Sequence, residues 1–414
     1  MSKMKIAGVE FVTDHPGGLR TPVDQRPLLF RPITLRGVTA RNRIMLGPMS
    51  QYLASDGNLT DWHLVHLGQF AIGGAGIVCS EETAVEARGR RTHNCAGMYT
   101  DEHVRGYRRI TNFLKDLGAV PAIQLGHAGR RGSSRSPWEG REPLNERDAA
   151  MGRGPWQVVS SSPIAHGPGR PAPIALDCDD IRAEIAAWHD AAARSAEAGF
   201  DIVEIHGAHG YLINQFLSPV ANRRDDGYGG DLAGRMRFAL ELVEGVRSAW
   251  PADKPLFFRC SVVDGKGGHW DIDDTVVFAK ELKARGVDVL DVSCGGLEGT
   301  SSLPAVPRYL PGYNVIYSEH VRREASMPTA VVGLITEPSQ AEAILQEGKA
   351  DIIAIAREMM CNPYWPAHAA KALGLPDWLD VLPENYAFRL YPREQELRRQ
   401  KEGPPPEIPF RRKA

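Results

Sequence analysis

The chain has 414 residues, 43% hydrophobic and 24% charged, with a formal net charge of −2. That is an ordinary globular profile, and it gives no sign of a nucleic-acid or membrane-surface binder. The six cysteines, Cys79, Cys95, Cys178, Cys260, Cys294 and Cys361, form no CxxC pair, so no ligand set for a zinc ribbon or an iron–sulfur cluster is visible and no metal is expected.

The N-terminus, MSKMKIAGVE, lacks a signal-type apolar core, and no run of about 18 apolar residues occurs. A soluble, cytoplasmic protein with reduced thiols is expected. Residues 1–27 are mixed in composition and read as an arm. From Ile44 onward, short apolar runs alternate with amphipathic helical stretches. Ile44–Met49 is the first run. A helix opened by Thr60 as N-cap follows, then Gly76–Ser80. The pattern then repeats as helix and run: Glu102–Leu117 and Val120–Leu125, Asp179–Ala198 and Asp201–Ile205, Leu232–Ala249 and Leu256–Ser261. Three further pairs follow: Asp273–Arg285 and Val287–Ser293, Tyr317–Ala325 and Thr329–Gly333, Ser339–Gln346 and Asp351–Ala356.

Eight apolar runs separated by helices imply a parallel sheet with right-handed crossovers. At this length they favour a closed α/β (β/α)8 TIM barrel. The runs are apolar throughout, as strands buried on both faces must be. An open dinucleotide-binding sheet would place GxGxxG after the first strand, and none follows Met49. The barrel is expected over residues 28–375. A long excursion after the third run, about 128–176, carries Trp138, Trp156 and several Arg, and reads as either a solvated loop or a lid over the barrel mouth. Residues 376–414 are charged and Pro-rich, and read as a C-terminal arm without its own core.

Polar residues gather where the runs end, the face on which barrel enzymes keep their chemistry. They are Pro48, Met49, Ser50 and Tyr52; Glu81 and Glu82; Gln124 and His127; His206, His209 and Tyr211; Arg259 and Ser261; Gly333; and Arg357. Singly, each has an ordinary structural explanation: a satisfied core amide, a salt bridge, a histidine pair. Their joint placement points to chemistry. Turns after the seventh and eighth strands often hold a phosphate through backbone N–H groups. Gly333 permits close backbone approach there, and Arg357 adds a charge.

The stretch HGAHGYLINQFLSPVANRRDDGYGG, from His206 to Gly230, resembles the signature segment of the old yellow enzyme family, FMN-dependent ene-reductases on a (β/α)8 barrel. NRIMLGPMSQY, QLGHAGR, FFRCS, VVGLIT and IAREMMCNPYW match in family order from Asn42 to about Trp365. The resemblance implies FMN as cofactor and NADPH or NADH as reductant. It places Pro48, Met49 and Ser50 along the flavin face, Gln124 on its pyrimidine ring and Arg259 near N1 and O2. Gly333, Ala356 and Arg357 would hold the phosphate, and Glu82 would stand at the flavin edge where a small residue is common. His206 and His209 would donate to a substrate carbonyl, Tyr52 would assist, hydride would leave flavin N5, and Tyr211 would protonate the α-carbon.

The thermophilic-like branch, which the chain otherwise resembles, carries Cys where this chain has Ser50, and Ala356 replaces a Gly of the phosphate turn. Alternative activities are amine oxidation or N-demethylation, with Glu82 holding a cation, and reduction of an aromatic or enoyl-CoA thioester, suggested by WEGREPL and the Arg-rich lid. A non-enzymatic barrel would leave the polar ring idle. A homo-oligomer, dimer or tetramer, is expected, with Arg389 near a neighbour's active site.

Overall fold

Each apolar run forms a strand whose two faces need different partners, a barrel interior and a shell of helices. In the computed structural model, which describes residues 2–6, 9–13, 18–264, 270–297 and 310–403, the strands satisfy both. They are β1 (Ile44–Leu46), β2 (Ile77–Ala84), β3 (Val120–Gly126), β4 (Ile202–Gly207), β5 (Leu256–Ser261), β6 (Val289–Ser293), β7 (Thr329–Val331) and β8 (Ile352–Ile355). They pair in parallel, in chain order, and close when β8 meets β1. The (β/α)8 architecture read from the run pattern is the one observed.

The shell comprises α1 (Asp61–Ile72), α2 (Asp101–Asp116), α3 (Cys178–Glu197), α4 (Leu232–Ala249), α5 (Ile272–Ala284), α6 (Val315–Glu324), α7 (Pro338–Gln346) and α8 (Trp365–Ala372). Thr60 does precede α1, and its backbone N–H donates to His63 Nδ1 at 3.0 Å. Along α2, Val104, Tyr107, Ile110 and Leu114 are buried at helical spacing, each worth roughly 1.5–3 kcal/mol of apolar burial. No helix among the described residues is long and apolar enough to cross a membrane.

Inside the barrel, Met45, Ile77, Val120, Ala122, Ile202, Phe257, Val289 and Ile352 pack as an apolar floor. Strand alternation then lifts a polar layer above it. Gln124 is level with Glu204, and Arg259 with Asp291. His206 is level with Arg259. A register shift in β2 between Ser80 and Glu82 sets Glu82 beside Gln124. One extra residue thus turns the Glu82 side chain to the inward face.

The excursion over 128–176 is folded onto the barrel. It carries a short helix (Glu146–Ala150) and a two-residue pairing of Val159–Ser160 with Ile174–Ala175. Arg224 donates to Ser161 O and Leu176 O, and Asn222 Nδ2 to Phe216 O and Tyr228 O. The loop after β4 therefore anchors the excursion. The C-terminal arm, read as lacking its own core, packs on the barrel. Residues Glu384–Glu402 form a helix that contains Pro392 and bonds to the barrel through Lys371–Glu394 at 2.7 Å. Arg20 and Thr21 donate to Asp377, tying the two arms together.

Candidate active site

β4 and the turn after it deliver three side chains to the carboxyl end of the barrel. His206 is the last inward-facing residue of the strand. The backbone N–H of Ala208 donates to its Nδ1 at 3.1 Å, which leaves the proton of the neutral ring on Nε2. Nε2 lies 3.3 Å from His209 Nδ1, and His209 Nε2 lies 2.7 Å from Ser293 Oγ. The bonds therefore run one way, from His206 to His209 to Ser293. Burial and the Arg259 guanidinium hold both imidazoles well below the usual histidine range, so both are neutral at pH 7.

His209 adopts a left-handed backbone, φ 60°. Ser261 Oγ accepts from its N–H at 2.9 Å, and Arg131 Nη1 donates to its carbonyl. Tyr211 caps the short helix Leu212–Leu217. Its ring lies 4.8 Å from that of His206 and 5.5 Å from the Arg131 guanidinium. Burial raises its pKa, opposed by Arg91. Tyr52 lies close to Tyr211, and burial raises its pKa as well. It accepts from Arg91 Nη1 at 3.4 Å and meets Trp138 of the excursion edge-on at 5.9 Å. Trp138 thus places the excursion at the mouth.

Beneath the histidines lies a charged layer. Arg259 Nε is 3.3 Å from Asp291 Oδ2, and Gln124 Nε2 donates to Glu204 Oε1 at 2.8 Å. Burial, then Asp291, pushes Glu204 far above the carboxylate range. Glu204 therefore keeps its proton at neutral pH while Asp291 offsets Arg259. Arg259 Nε, Glu204 Oε2 and both Asp291 oxygens are buried with no hydrogen-bond partner beyond one another. Glu82 is 4% exposed, its two oxygens are unbonded, and burial lifts its pKa to about 8. Its carboxyl lies over Gly126, whose missing Cβ makes the space.

The remaining expected residues sit at the same end of the barrel. Pro48, Met49 and Ser50 follow β1 and are half-buried, and Gly47 N donates to Ile355 O. At the ends of β7 and β8, Gly333 has φ 151°, and a Cβ there would stand 3.2 Å from Asn314 N. Ala356 caps the short helix that opens with the exposed Arg357. An open backbone turn beside Arg357 fits an anionic group, and the orphaned polar layer fits a polar planar ring above it. These are the features a flavin mononucleotide requires.

Two members of the strand-end ring face elsewhere. Glu81 Oε2 accepts from Gln51 N at 2.8 Å and so braces the loop after β1. His127 points away from the mouth, with Nε2 2.8 Å from Glu86 in a cluster with Glu184 and Arg88. Arg389 lies on the C-terminal helix, its guanidinium 5.2 Å over the ring of Phe388. Sequence reading missed Glu204, Asp291, Ser293, Arg91 and Arg131. Period-two spacing in IVEIH and VLDVS could have found the first three, because Glu204 and Asp291 each stand two residues before a mouth residue.

Comparison with known proteins is consistent across sequence and structure. The sequence model of the NADH:flavin oxidoreductase / NADH oxidase family matches residues 28–375. The NADPH dehydrogenase of Geobacillus sp. (strain WCH70) is 43% identical over 349 residues, 84% of this chain and 95% of that one. The NADPH dehydrogenase of Bacillus subtilis (strain 168) is 39% identical over 347 residues, 83% of this chain and 95% of that one. Among solved structures, morphinone reductase superposes with a TM-score of 0.69 at 25% identity, over 86% of this chain and 93% of that chain.

Proposed function

The chain belongs to the NADH:flavin oxidoreductase / NADH oxidase family, the old yellow enzymes, and is an FMN-dependent NAD(P)H oxidoreductase; from that premise we propose that it reduces the activated C=C bond of α,β-unsaturated carbonyl compounds. The observation that carries this reading is the convergence of two neutral imidazoles and a protonated phenol, His206, His209 and Tyr211, above the Arg259 layer.

Gly333, Ala356 and Arg357 are assigned to the FMN phosphate. Gln124 and Arg259 are assigned to the polar edge of the ring, and Pro48, Met49, Ser50 and the protonated Glu82 to its surroundings. Bound FMN supplies the hydride relay between NAD(P)H and the acceptor. A substrate carbonyl takes over the Nε2–H donors of His206 and His209, which in the free site serve His209 Nδ1 and Ser293 Oγ respectively. Neutral imidazoles suit this task because they donate without releasing a proton into the mouth. Tyr211 gives its phenolic proton to the α-carbon, and Tyr52 adds a hydrogen bond to the carbonyl.

Amine oxidation has less support. It calls for an anionic Glu82, which burial keeps protonated below about pH 8, and Arg91 and Arg131 near Tyr211 repel a cation. The test is an anaerobic half-reaction. NADPH should bleach the flavin bands, and cyclohex-2-enone should restore them stoichiometrically. Flavin that stays reduced with enones yet is itself reduced by amines would overturn the reading.

A further inference from the structure

Arg91, in the loop after β2, is neither a family-motif residue nor part of the charged layer. Its Nη1 donates to Tyr52 OH at 3.4 Å, and it is within hydrogen-bonding reach of Tyr211. Its Nε is buried and has no acceptor. Arg131, 5% exposed, spends Nη1 on the carbonyls of His209 and Gly296. It lies close enough to Arg91 and Arg170 for their charges to disfavour its own. Arg170 donates to Ser134 Oγ and Arg141 O and lines an open groove of about 830 Å³ on the excursion.

Among the described residues, no carboxylate forms an ion pair with any of these three guanidinium groups, although Glu142 lines the groove beside Arg170 and favours its charge. The nearest buried acid, Glu82, keeps its proton at neutral pH. Buried or half-buried cations without a counter-charge are costly. Elsewhere in this chain such cations are matched by a carboxylate, as Arg259 is by Asp291 and Arg88 by Glu184, or spend their donors on backbone carbonyls, as Arg41 does on Ala71, Ala75 and Leu117. Arg91 has neither, only the Tyr52 and Tyr211 hydroxyls. The mouth therefore holds excess positive charge beside the two tyrosines.

We propose that Arg91, backed by Arg131 and Arg170, is an anion subsite, and that the oxidising substrate is an activated alkene that also carries a carboxylate. The planar fork of Arg91 matches a carboxylate in two-point geometry. A phosphate of the reductant is the other source of negative charge. However, the nearest phosphate of NADPH is a ribose away from its reacting ring, whereas Arg91 reaches Tyr211 and Tyr52, the phenols assigned to the α-carbon and the carbonyl. The inference rests on the assignment of Tyr211 and Tyr52 to the substrate site.

The test uses the FMN-loaded enzyme with (E)-4-oxopent-2-enoate and its methyl ester. The readout is the ratio of kcat/KM, acid over ester. In the wild type the KM of the acid should rise with salt more than that of the ester. Arg91→Met should lower the ratio at least about tenfold, as expected for loss of a charge-assisted hydrogen bond, and Arg91→Lys should restore part of it. A spectral titration gives the same comparison at equilibrium: the Kd of p-hydroxybenzoate should weaken more than that of phenol. A ratio unmoved by Arg91→Met would overturn the inference, as would a rise confined to the KM of NADPH. Wild-type enzyme that turns over neither acid nor ester would instead defeat the ene-reductase reading, so the two failures are distinguishable.

Discussion

Glu82 gives a sharp test of the electrostatics at the mouth. Its carboxyl is buried, unbonded and pushed from the ordinary 4.5 to about 8, first by burial and then by Glu81. The folded protein therefore keeps a proton that the unfolded chain gives up above about pH 4.5. Below that pH the group is neutral in both states and costs nothing. Between pH 4.5 and about 8 the cost grows by about 1.4 kcal/mol per pH unit, and above 8 it is fully present. From pH 5 to pH 7 this amounts to about 2.7 kcal/mol. Glu82→Gln keeps the volume and removes the titration. Urea unfolding of the FMN-saturated protein, followed by circular dichroism at pH 5, 6, 7 and 8, should show wild-type stability falling relative to that of Glu82→Gln by about 1.4 kcal/mol per pH unit. The buried neutral His206, His209 and His66, which add stability as pH rises towards the unfolded histidine pKa, contribute equally to both proteins. Glu184, lifted to about 7 by burial, titrates in both proteins and cancels in the comparison. Parallel pH profiles would refute the burial argument and put Glu82 in contact with water or a cation.

Arg259→Met should destabilise the fold by about 3–5 kcal/mol, because it leaves Asp291 as a buried charge without its partner. Adding Asp291→Asn should recover at least about 1 kcal/mol, measured by the same unfolding assay. Gly333→Val forces a branched side chain into φ 151° and against Asn314. It should raise the FMN Kd about tenfold, read by flavin fluorescence after ultrafiltration. Ser293→Ala removes the partner of His209 Nε2 and frees that donor for the carbonyl. The enone KM should fall about two- to fivefold, since one hydrogen bond of about 0.5–1 kcal/mol no longer competes. A raised KM would mean that Ser293 aims His209 rather than competing for it.

The barrel was legible because its strands are buried on both faces and its helices on one, so the alternation of apolar runs carries the whole topology. Helix ends fell within two residues of expectation, from Thr60 before α1 to Ala249 at the end of α4. The mouth was legible where motif and strand end coincide, as at His206 and Gln124. It was not legible where tertiary register decides. The bulge before Glu82 turns that residue inward and sends Glu81 to Gln51; spacing alone treats the two as equivalent. His127 also closes a strand, yet it belongs to an ion cluster built by Glu86 and Arg88 from the turn after β2 and by Glu184 from α3. Arg91 sits in a loop with no periodicity, so only its contact with Tyr52 exposes it. The C-terminal helix was hidden by Pro392 and a run of charges, although contacts with Lys371 and Asp380 hold it in place.

In the proposed reaction Tyr211 delivers the proton to an alkene reduced at this mouth. Stopped-flow spectroscopy of Tyr211→Phe separates the two half-reactions. Reduction by NADPH should stay within a few fold of the wild type, while reoxidation by cyclohex-2-enone should slow by about 10²–10⁴, the span of general acid catalysis. Reoxidation by the enone at the wild-type rate would contradict the account.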